Sequence, residues 1–130
     1  MKHSILILIL ISATSFSQNV EKKRGEILGR QYAEVELKKA LNKQTNQTKI
    51  LIGEKAEAIN DSVTAIRFAE KILFERYGKE NIESQKPYQI YLIREYWVLF
   101  GTLPNDSIGG TFLIILDRRN STVLKVTHGK

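Results

Sequence analysis

The chain has 130 residues, with 20 Lys or Arg against 14 Asp or Glu for a net charge of +6, and it has no cysteine. That length fits one domain, and its stability must come from packing, because no disulfide or cysteine-based metal site can form. A basic balance raises nucleic acid as a partner, but the cations are scattered along the chain and read as a solvated surface, not a nucleic-acid stripe.

Residues 1–17 are arranged like a secretory signal. Lys2 supplies the positive start, Ile5–Ile11 is an unbroken apolar run, and Ser15 and Ser17 place small residues before a cut at Gln18. The run is too short to cross a bilayer. The mature protein is therefore expected to be exported, periplasmic or secreted, with no membrane span after cleavage.

Residues 18–60 form an N-terminal extension. Val20–Gln44 is expected to be helical, with Leu28, Tyr32 and Val35 on one face and Leu37 and Leu41 on an offset stripe. Gly25 and Gly29 weaken its start. Thr45–Thr48 reads as a linker, and Lys49–Gly53 as a short strand around Ile50-Leu51-Ile52.

Residues 61–130 form the main domain. Asp61 or Ser62 caps a helix running to Tyr77, with Ala65, Ile66, Ala69, Ile72 and Leu73 on one apolar face and Gly78 at its end. Lys79–Lys86 reads as a charged connection stopped by Pro87. Four strands follow. Tyr88–Arg94 alternates imperfectly, and the turn near Arg94-Glu95 lacks the usual glycine or asparagine. Tyr96–Leu103 and Gly110–Leu116 form the central pair around a loop from Pro104 to Gly110. The second of these is apolar at nearly every position, which implies burial on both faces or on one face plus a partner. Asp117–Ser121 makes a turn, and Thr122–His128 closes the sheet, with Leu124 and Val126 facing one way and Val123 and Lys125 the other. The whole reads as α+β: an N-terminal helix, then a helix packed on a four-stranded antiparallel sheet. Its expected structural residues are Ile66, Ala69, Leu73, Trp97, Gly101, Pro104, Gly109 and Gly110.

Chemistry is sparse. Beyond the signal the chain has one histidine, His128, near its end. A Ser–His–Asp triad needs a positioned histidine, and one histidine with no cysteine makes a poor zinc site. Gly109-Gly110 lacks the lysine of a phosphate loop and leads into a strand. No catalytic residue, metal or cofactor is expected. The exposed candidates for binding a partner are Asn105 and Asp106 in the Pro104–Ile108 loop and Arg118 and Arg119 at the last turn.

Several pieces in this order carry a resemblance: Thr64-Ala65-Ile66 with Ala69-Glu70, Tyr77-Gly78, Lys86-Pro87-Tyr88, Trp97-Val98, Gly101-Thr102-Leu103-Pro104, Gly109-Gly110 and the ending Val123–Lys130. Together they resemble a bacterial immunity-protein family with a nuclear-transport-factor-2-like fold. The family usually has Asp-Gly or a similar pair at the last turn, where this chain has Arg118-Arg119-Asn120-Ser121. The resemblance implies a binding protein, not an enzyme, whose partner is a cognate protein toxin and not nucleic acid. A fold of this kind also hosts other functions. A secreted PepSY-like or cystatin-like protease inhibitor and a small-molecule pocket protein stay open as alternatives.

Overall fold

A computed structural model describes residues 24–43, 57–103 and 109–129. The expected signal, the Thr45–Thr48 linker, the strand at Lys49–Gly53 and the residues Pro104, Asn105 and Asp106 lie outside the described residues. In chain order the elements are α1 (Arg24–Asn42), α2 (Ser62–Tyr77), α3 (Lys79–Glu83), β1 (Gln89–Ile93), β2 (Tyr96–Phe100), β3 (Phe112–Asp117) and β4 (Val123–His128). The strands pair antiparallel in sequence order, β1-β2-β3-β4.

The side-chain alternation of the central strands explains the layers. Trp97 and Leu99 of β2, with Phe112, Ile114 and Leu116 of β3, face α2 and pack with Ala65, Ala69, Ile72 and Leu73. The intervening Val98, Phe100, Leu113 and Ile115 face the other way and pack with Ala33, Leu37 and Ala40 of α1. Every residue of β3 is buried, because a strand covered on both faces has no polar side to present. The sheet is thus held between two helices, whereas the sequence reading put one helix on one face.

α2 follows its sequence signals closely. Asp61 is extended (φ −141°, ψ 160°) and its carboxylate accepts the Thr64 N–H, satisfying one of the donors left open at a helix start. Ala65 and Ala69 are fully buried and bring the helix axis close to the sheet, while Ile66 is half-buried at the margin. Gly78 takes φ 85° and its N–H returns to the Phe74 carbonyl. The chain then enters the short helix α3, which the sequence reading took for a plain connection. Ile82 of α3 is fully buried and anchors it to the core.

α1 packs through Leu28, Tyr32, Leu37 and Leu41 as expected, but Val35 departs from the expected face. Ala33, Glu36, Leu37 and Ala40 are buried, with Leu28, Tyr32 and Leu41 packed beside them, while Val35 is 51% exposed. At 100° per residue, position 35 lies about 180° from the midpoint of 33 and 37 and faces water. Buried Glu36 occupies the place that a wholly apolar reading of the face would have passed over.

β4 also departs from simple alternation. Ile115 pairs with Lys125 but Leu116 pairs with Val123, so Leu124 is an extra residue in a β-bulge. A bulge sets two successive side chains on one side of the sheet. Leu124 accordingly joins the α1 side, as does Lys125 through its contact with Glu36, while Val123 and Val126 both join the α2 side. Strand ends shift by a few residues from the sequence reading: β2 stops at Phe100 and β3 starts at Phe112.

Candidate functional site

The antiparallel order gives the sheet two distinct ends. The β1–β2 and β3–β4 turns lie at one end, and the β2–β3 connection lies at the other. Arg118 and Arg119 follow β3, whereas Leu103 and Gly109, which flank the loop holding Asn105 and Asp106, lie at its far end. Six residues of β3 separate the two groups by roughly 20 Å. Arg118 and Arg119 and the described residues that flank the β2–β3 loop therefore lie at opposite ends of β3.

At the turn end, charges are gathered and paired. The Arg118 guanidinium donates to both Glu95 oxygens, at 2.7 Å from Nε and 3.3 Å from Nη2. Arg119 donates to both Asp117 oxygens, at 3.0 and 2.8 Å, and its guanidinium lies over the Tyr96 ring 5.8 Å from the centroid. Two-point contacts of this kind fix a guanidinium in orientation as well as position. Hydrogen bonds from Arg118 hold the Glu95 carboxyl below its usual range. The partner carboxylates in turn push Arg118 and Arg119 up.

Backbone bonds tie this end together. Arg118 donates its N–H to the Glu95 carbonyl and accepts the Ile59 N–H, at 2.9 and 2.8 Å. The Trp97 indole donates to the Ile59 carbonyl at 2.9 Å, and the Ser121 hydroxyl donates to the Glu57 carbonyl. The β3–β4 turn has no glycine. Ser121 takes φ 59° in its place, and the side chains of Asp117 and Asn120 cap the N–H groups of Arg119 and Thr122 at 2.9 and 3.1 Å. Asx-type bonds of this sort let a turn form without glycine. The surface offered is a rigid set of paired charges with one aromatic ring.

The opposite end is built on Gln85, which is 2% exposed. Its side-chain oxygen accepts the Phe112 N–H at 2.9 Å and its amide nitrogen lies 2.9 Å from His128 Nε2. His128 Nδ1 lies 2.7 Å from the Gly129 carbonyl. With Nδ1 carrying the proton, the ring donates to that carbonyl and accepts from Gln85. His128 is thus tied into the fold, with its ring 5.1 Å from Tyr77. Gly101 and Gly110 are small for reasons of space: a Cβ on Gly101 would overlap the Gln85 side chain, and one on Gly110 would fall on the Gly129 backbone.

A third cluster was missed from sequence. Buried Glu36 of α1 accepts from Lys39 at 2.9 Å and from Lys125 of β4 at 2.8 Å. Burial pushes its carboxyl up, but the hydrogen bonds from Lys125 and Lys39 win and hold it below the usual range. The available signal was Glu36 lying between Ala33 and Ala40 on the helical repeat, three residues from Lys39. Among the described residues no three His, Asp or Glu side chains converge as metal ligands, and no helix is long and apolar enough to cross a membrane.

A family model described as NTF2 fold immunity protein matches residues 64–130. Similar curated proteins include uncharacterized protein YhhH of Escherichia coli (strain K12), 34% identical over 73 residues, or 55% of this chain and 58% of that protein. Uncharacterized protein YbbC of the same strain is 36% identical over 73 residues, or 55% of this chain and 60% of that protein. The match thus spans about three-fifths of the length of these relatives. No solved structure matches.

Proposed function

Because the chain belongs to the family of NTF2-fold immunity proteins, we propose that it neutralises a cognate protein toxin by binding and occluding it, without chemistry of its own. The signal-like order of residues 1–17 supports an encounter in the exported compartment. Net charge narrows the toxin class. An inhibitor of a nuclease gains from a negative surface, because nuclease sites attract phosphate with positive charge. This chain is +6, and loses only one positive charge with Lys2. A toxin acting on the envelope fits both charge and export better than one acting on DNA or RNA.

The observation that supports a contact surface is the turn-end cluster. Glu95, Tyr96, Asp117, Arg118 and Arg119 are already paired and bonded to the backbone, so a partner meeting them does not have to order them first. The Asn105–Asp106 loop, at the other end of β3, would form a separate contact. The test is survival of a toxin-sensitive strain expressing the chain with and without residues 1–17, and with Arg119→Ala. Protection is expected from the signal-bearing form and loss of protection from the other two. Equal protection by all three would refute both the compartment and the surface.

A further inference from the structure

We propose that the outer edge of β1 docks an extended, acid-flanked segment of a protein partner, which adds to the sheet as a further strand. The proposal rests on the reading of the chain as a protein-binding module and specifies how a partner would be held.

The two edge strands differ in how they are protected. β4 is bulged at Leu124 and carries Lys125, two devices that discourage pairing by another chain. β1, Gln89–Ile93, has neither bulge, charge nor proline. Its backbone is also poised outward. Glu95 and Gly101 of β2's strand line bond toward β3, so by alternation Tyr96, Val98 and Phe100 bond toward β1. Their register partners are Ile93, Tyr91 and Gln89. The N–H and C=O groups of Ile90 and Leu92 therefore point away from the sheet. No described strand pairs with them, and the Leu92 side chain is 39% exposed.

Charge selects the occupant. The strand is flanked by Lys86, half exposed and 3.6 Å from Glu70, and by Arg94. Arg94 is exposed, makes no ion pair among the described residues, and sits at φ 53°. Asn or Gly would hold that conformation at less cost, so the guanidinium is kept there against backbone preference. A second copy is a poor match. A copy would bring its own Lys86 and Arg94 to an edge already flanked by those two cations, and neighbouring like charges destabilise such pairing. An extended segment with apolar residues at its centre and carboxylates at its ends meets both cations and fills the open hydrogen bonds.

The test uses the full chain and two fluorescent peptides of alternating Val and Thr, one flanked by Glu and one by Lys. The Glu-flanked peptide is expected to bind at least tenfold tighter at low salt, and Arg94→Asn to narrow that gap. Leu92→Pro is expected to abolish binding while preserving the circular dichroism spectrum, since that N–H takes no part in the ladder. Leu92→Glu, on an exposed side chain, serves if the proline variant does not fold, and is expected to weaken the Glu-flanked peptide selectively. No binding of either peptide, equal binding of both, or binding that survives Leu92→Pro in a folded protein overturns the proposal. So does a dimer in sedimentation that Leu92→Pro converts to monomer, which would assign the edge to a second copy. Failure of the chain to protect cells from a toxin would sink the immunity reading and leave these peptide results standing.

Discussion

Gly101→Ala is expected to destabilise the protein by about 2–6 kcal/mol although it adds a single methyl. Gly101 is buried, and a new Cβ would lie 2.7 Å from Gln85 Cβ and overlap its side-chain oxygen. Forcing a methyl into a filled space costs about 1–3 kcal/mol. Gln85 cannot move aside freely, because its oxygen accepts the Phe112 N–H at 2.9 Å. Losing that acceptor leaves a buried donor unpaired, at about 1–3 kcal/mol more. The assay is urea unfolding of Gly101→Ala, Gln85→Gly and the double variant. Gln85→Gly removes both the Cβ and the oxygen that the new methyl would meet, so the double variant should be no less stable than Gln85→Gly alone. A cost under about 1 kcal/mol for Gly101→Ala, or additivity of the two changes within about 0.5 kcal/mol, would refute this account of the loop end.

Trp97→Ala should cost about 3–5 kcal/mol, the range for emptying a buried aromatic site, since Trp97 is 7% exposed and bonds the Ile59 carbonyl; its thermal midpoint relative to wild type checks this. Glu36 has its folded pKa held below its unfolded value by Lys125 and Lys39. Its stabilisation is therefore present above the ordinary carboxylate range and is lost as pH falls through the folded value. Glu36→Gln should flatten the acid limb of stability against pH, read from urea midpoints, and separate α1 from β4 least at low pH. Thr122→Val should be neutral or stabilising in the same assay, because the buried Thr122 hydroxyl has no hydrogen-bond partner among the described residues and replacing an unpaired hydroxyl by a methyl removes a desolvation cost.

Local signals read well where one residue type does one job. Asp61 and Gly78 bound α2 as a cap and a positive-φ stop, and the unbroken apolar run of β3 implied cover on both faces or on one face plus a partner, of which the structure shows the first. The second cover was harder to see. α1 buries an acid, Glu36, and exposes a valine, Val35, so hydrophobicity alone misplaces these two positions. The ion pair that reverses that order comes from Lys125, distant in sequence. The bulge at Leu124 likewise has no glycine to announce it, and it broke a period-two reading of β4. At the turn end, Arg118 and Arg119 looked like two free cations. The carboxylates that pair them are Asp117, next in the chain, and Glu95, brought across by strand pairing. What remained illegible was that strand order sets this turn and the described ends of the β2–β3 connection, Leu103 and Gly109, at opposite ends of β3.

The claim that matters most is neutralisation by stoichiometric binding. It is tested by titrating the activity of a toxin from which this chain protects cells with the purified protein. Residual activity should fall linearly and reach zero at one immunity protein per toxin, with the end point unchanged by incubation time. Inactivation that continues with time at a small fraction of one equivalent would contradict it, because only turnover by this chain could produce that result.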